Sequence, residues 1–487
     1  MNIALLIILG FLLLSIWLGI RSTKGKDMNL EQWTVGGRGF GAIFVFLLMA
    51  GEIYTTFSFL GGSGWAYGKG APALYVLIYI TLSYVVSYWL LPEIWAYAKK
   101  NNLMSQSDFF VSKYKSPFLG ILAALVGVVS MIPVIVVQLK GLGIIVSEAS
   151  YGAISISTAV WMGAISLTIY VMLSGIHGSA WIAVIKDILM IVIIAFLGIY
   201  FPIHYFGGLQ PMFEAINAAK PGFLKLPEQG LSVSWFISTV ILLVCGFYMW
   251  PQVFSAVYSA RSGKVFRKNA IISPLYTLML LFVFFVGFTA ILKVPGLEGA
   301  DADLSLLRLS IETFDPWFIG IIGGAGVLTA LVPGSMLLMS VATLLAKNVY
   351  KEFVPAVSDQ NVVRIAKSLV PVIALIAVYF TLKGGETLSA LILMGYSLIT
   401  QLFPSLLFSL TKNNVIHKYG AIAGIICGLA IVAYITLSHS TIGTLFPSLP
   451  QAAKDLNVGI IALSINTLVM ITVSLTVRKL TVRRSMR

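Results

Sequence analysis

Apolar stretches long enough to cross a bilayer recur along the whole chain, and that recurrence limits the fold more than any motif does. Hydrocarbon offers backbone groups no partner, so a spanning segment closes its own hydrogen bonds as a helix or joins a closed barrel. The runs here are about 18 residues or longer, the length of a transmembrane helix. They predict thirteen spans, at 3–20, 41–64, 73–97, 117–147, 157–174, 179–203, 233–258, 269–292, 316–346, 368–382, 388–411, 419–438 and 458–477. Composition agrees: 59% of the 487 residues are hydrophobic and 10% charged, against about 25% charged in a soluble domain. The expectation is an all-α polytopic membrane protein, with residues 1–487 as one transmembrane domain. The first run has no basic residue before it and no small-residue cleavage site after it, so it reads as a retained span rather than a signal peptide.

An odd number of spans puts the termini on opposite sides. Most of the 32 Lys and Arg follow the first, third, seventh, ninth, eleventh and thirteenth spans. Only Lys69, Lys220, Lys225, Lys293, Arg308, Lys383 and Lys454 lie in the opposite loops. Cytoplasmic loops carry the basic excess, so the N-terminus is expected outside and the C-terminus, with its basic tail at 478–487, in the cytoplasm. The net charge of +14 then records topology and attraction to anionic membrane lipid. It is spread over short loops, which argues against nucleic-acid binding. No phosphate-cradling G-x-x-x-x-G-K-[ST] motif is present, which disfavours an ATP-driven pump. The short tail leaves no segment for a fused kinase, nucleotide-binding or signalling domain. Cys245 and Cys427 lie in apolar runs and read as buried thiols rather than a disulfide. His177, His204, His417 and His439 sit in loops or at span ends without metal-ligand spacing. An intramembrane enzyme, which would need a nucleophile–base pair or a metal cluster, is therefore not expected, and neither is a cofactor.

Ionisable groups inside a membrane cost about 2.5–3.5 kcal/mol each on insertion scales and usually face a cavity or a partner. Here they are Glu52, Lys140, Lys186 and Asp187, with Glu93 nearer a span end. Around Glu52, the stretch "LMAGEIYTTFSFLGG" sets Tyr54, Thr55, Thr56 and Ser58 among glycines. It reads as a broken helix lining a site, the alternative being an intact helix that uses its small residues for close packing. Five spans later, "CGFYMWPQ" places Gly246, Tyr248, Trp250, Pro251 and Gln252 in mid-span. Proline there removes a backbone hydrogen bond and kinks or unwinds the helix. Two interruptions at corresponding positions are the mark of an inverted-repeat transporter with its site at the midplane. The expected repeats are 41–203 and 233–411, numbered as a five-plus-five core with helices one and six broken, flanked by an extra helix at 3–20 and two more within 419–477. Gln138 and Lys140, two residues apart, point to different helix faces. Lys140 either meets a substrate carboxylate or pairs with Glu52 or Asp187, and Asp187 reads most simply as an ion-pair partner.

The segments "GGRGFGA", "LMAGEIYTTFSFLGGSGWAYGKGAP", "SQSDFFVSKYKSP", "LSGIHGSAWIAVIKDIL" and "LLAKNVYKEF" occur in an order and at spacings that resemble the sodium:solute symporter family. "GEIYTTFSFLGGSGWAYGKG" and "QLKG" are most similar to its monocarboxylate permease-like branch. The resemblance implies a sodium site between core helices one and eight, with the Ala50 and Ile53 carbonyls as ligands and Glu52 where some members carry a coupling aspartate. It also exposes departures. The family's paired helix-eight hydroxyls fall on Val332 and Pro333, neither of which can ligate sodium through its side chain. Ser335, Thr329 or a carbonyl freed by Pro333 are the remaining donors. An aspartate that some members use for an additional sodium falls on Ala183. Lys186, three residues beyond, is expected to put an ammonium in place of the missing sodium or to couple protons, with Glu52 as a second coupling group.

These readings converge on a plasma-membrane symporter that imports a small organic solute, most directly a short monocarboxylate, on a sodium or proton gradient by alternating access. Tyr54, Thr55, Thr56, Gln138, Lys140, Tyr248, Trp250 and Gln252 are the expected solute residues. Glu52, Ala50, Ile53, Lys186 and Asp187 are the expected ion-coupling residues. An amino-acid or pantothenate-type substrate is the alternative within transporters, and a membrane nutrient sensor the alternative outside them. Solute and membrane lipid are the only partners implied.

Overall fold

The structure, a computed structural model, describes residues 2–51, 54–412 and 414–485, and among them the chain is helical. The elements that matter run in order: α1 (Ile3–Thr23), α2 (Ala42–Gly51), α3 (Gly62–Lys69), α4 (Ala71–Lys100), α5 (Gln106–Tyr114), α6 (Pro117–Ala149), α7 (Ile156–Phe206), α8 (Val233–Gly246) and α9 (Pro251–Tyr258). Then follow α10 (Lys264–Lys293), α11 (Ser305–Thr313), α12 (Pro316–Phe353), α13 (Asp359–Lys383), α14 (Leu388–Ser409), α15 (Lys418–Leu437) and α16 (Val458–Ser485). Among the described residues, ten helices are long and apolar enough to cross a membrane, and α8 with α9, bent by 47°, makes an eleventh.

This differs from the thirteen expected spans for two physical reasons. The span expected at 41–64 is divided: α2 holds ten residues, about 15 Å of helix, half of a bilayer's hydrocarbon thickness of about 30 Å. The spans expected at 157–174 and 179–203 join into one 51-residue helical run, α7. At about 1.5 Å per residue it is more than twice the length of one crossing. Its dihedrals break once, at Gly175, with φ 53° and ψ −152°, a region that residues with a Cβ rarely enter. The break is held by the segment after α1. Trp33 and Met28 press on Gly175, and His177 stands between Lys26 and Gln32 at 2.9 Å from each.

Central in the fold is α12, whose apolar window is wholly buried. Its run "IGIIGGAG" has no bulk on one side, so α1 lies directly against it: a Cβ at Gly320 or Gly324 would meet Ile7 or Phe11. Close packing through small residues replaces the hydrophobic drive that lipid removes. α1 in turn shows Leu6, Leu13 and Trp17 outward. The same device joins α15 to α16, where Gly420, Gly424 and Gly428 face Ser474, Met470 and Asn466. A two-residue parallel bridge between Phe40 and Ala260 ties the start of α2 to the end of α9, through Phe40 N–H to the Ser259 carbonyl (3.0 Å) and Arg261 N–H to the Phe40 carbonyl (3.1 Å). The half-helices α2 and α9 are thereby tied at their ends.

Gly287 marks the closest approach of α10 to α3: a Cβ there would stand 2.2 Å from the Ser63 carbonyl oxygen. Gly287→Ala forces two backbones apart, at about 1–3 kcal/mol for overpacking. Thermal unfolding of the purified chain should show a melting temperature lowered by a few degrees, whereas Gly10→Ala, with open space around it, should leave it unchanged.

Candidate solute and cation site

Two helix breaks face each other in the core. At the first, α2 ends at Gly51, Tyr54 N–H returns to the Ala50 carbonyl at 3.0 Å, and the chain resumes through a wide turn at Phe57–Gly61 into α3. Thr55 Oγ1 accepts the Phe57 N–H at 3.1 Å and starts that turn. Glu52 and Ile53 lie outside the described residues. At the second, Trp250 is extended (φ −71°, ψ 131°) and Pro251 begins α9, where the missing N–H costs nothing. The freed Met249 carbonyl accepts the side-chain amide of Gln106 from α5.

A cavity of about 50 Å³ lies between the breaks, lined by Thr55, Tyr248, Trp250 and Gln252 together with Pro333 and Tyr396. Trp250 and Tyr396 meet edge to face at 5.1 Å, and Gly395 leaves room for the indole. The remaining wall is apolar or aromatic, Tyr79 included, and among the described residues no charged side chain lines it. Tyr79 and Tyr396 are absent from the sequence-based set. Tyr75 and Tyr79, four residues apart on α4, share one helix face, a spacing legible in the sequence.

Other expected solute residues are placed elsewhere. Thr56 Oγ1 donates to Gln138 Oε1 (3.0 Å) and the Val137 carbonyl (3.1 Å), and the Thr56 side chain fills the gap left by Gly141. This pair joins α6 to the first break and does not line the cavity. Tyr54 lays its ring on Tyr276 (4.4 Å between centroids) and donates its hydroxyl to the Tyr276 carbonyl at 2.5 Å. Lys140 neither lines the cavity nor pairs with Asp187. It donates to the Glu386 carbonyl at 2.5 Å and lies 4.0 Å from Asp303. Its partners come from loops far along the chain, which no local pattern reports.

The ammonium of Lys186 sits on the first break. It is fully buried and donates to the Tyr54 carbonyl (3.0 Å) and the Gly51 carbonyl (3.4 Å), with Asp187 Oδ1 at 2.9 Å. A Cβ at Gly51 would touch both Lys186 Nζ and Val332 Cγ1, so α2, α7 and α12 converge there. The acceptors lie one residue on from the carbonyls of Ala50 and Ile53 that the family resemblance implied. On α12, the Ser335 hydroxyl donates to the Val332 carbonyl (2.6 Å) and pairs with Ser179 (2.7 Å), and Thr329 donates to the Gly326 carbonyl (2.6 Å). Ala183 is buried and apolar.

On the end of α3, the loop 299–304 and α11 form a lid. Ser63 meets Ser305 at 3.2 Å, and Tyr67 donates to the Val294 carbonyl and accepts from Leu297 N–H. The side chain of Asp303, 1% exposed, accepts the Leu388 N–H at 3.0 Å at the start of α14. The lid so joins α3 to α6 and α14. Burial pushes the Asp303 carboxyl up to about 6, Asp301 adds to the rise, and the Leu388 N–H and Lys140 oppose it.

Residues 33–428 match the sodium:solute symporter family. The chain is 69% identical over 479 residues, 98% of each sequence, to a Bacillus subtilis (strain 168) protein described as the uncharacterized symporter YhjB. It is 28% identical over 391 residues, 79% of this chain and 78% of the other, to a monocarboxylate transport permease protein of Rhizobium johnstonii. A solved Na+-coupled sialic acid symporter, 15% identical, superposes with a TM-score of 0.79 over 97% of each chain. Fold and broken-helix site define a multi-pass membrane transporter. The chain belongs to the sodium:solute symporter family.

A carboxyl whose pKa is raised by the lid binds its proton more tightly when covered. The lid is therefore most stable below the ordinary carboxylate range, near 4, and loses that stability as pH rises through about 6. With Cys245 and Cys427 replaced by Ser, the rate at which a Ser63→Cys thiol reacts with an impermeant maleimide, divided by the rate of the same thiol in an Asp303→Asn background, should be lower at about pH 5 than at about pH 7.5. The ratio removes the fall in thiolate common to both, and a ratio independent of pH would refute the assignment.

Proposed function

We propose that the chain is an ion-coupled importer of a short monocarboxylate, bound between the two helix breaks. The observation that carries this is the cavity itself, small and uncharged with polar groups on its walls. A compact solute such as acetate, lactate or pyruvate suits a cavity of about 50 Å³. Tyr248, Trp250 and Gln252 carry N–H and O–H groups, and the first residues of α9, Gln252 and Val253, lie on the cavity wall. The helix dipole at such an end favours an anion. With Lys140 engaged at the lid, these groups take the role in carboxylate recognition first expected of lysine. The relative named for monocarboxylate transport supports the same substrate class.

Counted with both broken segments and with α7 folded back at Gly175, the chain crosses the membrane thirteen times. Repeats at 41–203 and 233–411 form the transport core, with α1, α15 and α16 outside it. The basic loops put the N-terminus outside, the C-terminus in the cytoplasm and the Asp303 lid on the outer face. Alternating access moves core helices one, two, six and seven against the rest. The tie between α2 and α9 makes two cytoplasmic half-helices move together.

Proteoliposomes containing the purified chain should take up labelled acetate, lactate or pyruvate in preference to proline under an imposed sodium or proton gradient. Tyr248→Phe and Gln252→Ala should each raise KM about ten- to a hundredfold, as loss of one hydrogen bond to a charged group does. Uptake of proline alone, or unchanged KM in both variants, would refute the assignment.

A further inference from the structure

We infer that Lys186 supplies the cation at the first helix break, so that this member of a sodium symporter family excludes sodium from that position. The inference rests on the reading of the chain as an ion-coupled importer and concerns which ion that importer can use.

Helix breaks at membrane depth leave carbonyl oxygens that must meet a cation or a donor. At the first break they meet the chain's own ammonium. A lysine ammonium has three N–H donors, and three acceptors surround it: the Tyr54 carbonyl, the Gly51 carbonyl and Asp187 Oδ1. Among the described residues its charge is matched by Asp187, which is 2% exposed. Tyr54 and Tyr276, the latter from α10, pack together at 4.4 Å between ring centroids next to this group.

A sodium ion is hard and takes several oxygen ligands. Among the described residues, Lys186 already holds two carbonyls of the break, Val332 presents a methyl at Gly51, and Ala183 offers no oxygen from its side chain. The Ser335 and Thr329 hydroxyls give their protons to carbonyls of α12 and keep their lone pairs, so the exclusion rests on the ammonium and not on them. A second cation drawn to the same carbonyls would lie about 4 Å or less from Nζ. At the effective dielectric of a protein, that repulsion lowers affinity on the order of a thousandfold. The donor set at this break therefore fits a tethered ammonium and does not fit sodium.

The test is sodium binding to the purified full chain, measured with radioactive sodium and by thermal unfolding in sodium chloride against choline chloride. The wild type should show no saturable sodium binding and the same melting temperature in both salts. Lys186→Ala vacates the position but leaves the Asp187 carboxylate and both carbonyls. It should melt lower in choline and be stabilised by sodium, while Lys186→Met, which keeps the bulk, should melt lower in both salts. Saturable sodium binding by the wild type overturns the inference, and that measurement decides it even if neither variant folds. A folded Lys186→Ala protein with no response to sodium overturns it as well. Neither assay involves a solute, so a failed substrate assignment leaves this result standing. Conversely, monocarboxylate uptake that requires sodium would sustain the substrate and refute the inference.

Discussion

Carbonyl oxygens left without helical partners in a low-dielectric interior are the constraint on which this structure turns. An unsatisfied buried backbone group is costly, so a helix breaks at membrane depth only where something replaces the lost hydrogen bonds. The chain solves this twice, with side chains from elsewhere. At the first break the donor is Lys186, carried on α7. At the second it is the amide of Gln106, carried on α5. One donor is charged and the other neutral. The first break therefore holds a buried ion pair, and the second leaves a neutral cavity edge at the start of α9.

The charged solution has its own cost. Removing an ammonium from water is expensive, and a buried ion pair recovers that only with good geometry and further hydrogen bonds. Asp187 gives the countercharge and two carbonyls give the hydrogen bonds. Asp187 follows Lys186 directly in sequence, and neighbours on a helix do not face each other. The long lysine stem bridges that difference by reaching toward α2 while its head stays within 2.9 Å of the carboxylate.

Much of this was legible in the sequence because its signals are local. Glycines, a proline and polar side chains inside apolar runs marked both breaks, and Val332 and Pro333 marked positions on α12 without the hydroxyls that the family resemblance implies. What escaped depended on distant parts of the chain. Thr56 and Gln138 are polar residues in spans, which either line a cavity or bond to each other, and only the approach of α6 to the first break decides between these. Lys140 finds its partners in loops near residues 303 and 386. Asp303 was missed because an acid in a polar loop has no distinguishing neighbours in sequence. The span count differed because the segment at 41–64 leaves the helix near Tyr54 and because 156–206 is one 51-residue helical run broken at Gly175, so neither meets the one-run, one-crossing assumption.

The lid and the breaks are parts of one mechanical system. α3 continues from the first break and carries Ser63 and Tyr67, which hold the lid loop and α11. α6 carries Gln138 against Thr56 beside that break and, two residues on, Lys140 at the lid. A shift of α3 relative to α6 must therefore disturb the Thr56–Gln138 pair and the Asp303 contacts together. That arrangement makes the lid sensitive to whether the first break is occupied. The ammonium that holds the break is permanently attached, so what varies during a transport cycle is the neutral cavity beside it. Under the proposed function, a solute bound between Thr55 and Trp250 would be the agent that most directly changes how α3 and α6 meet.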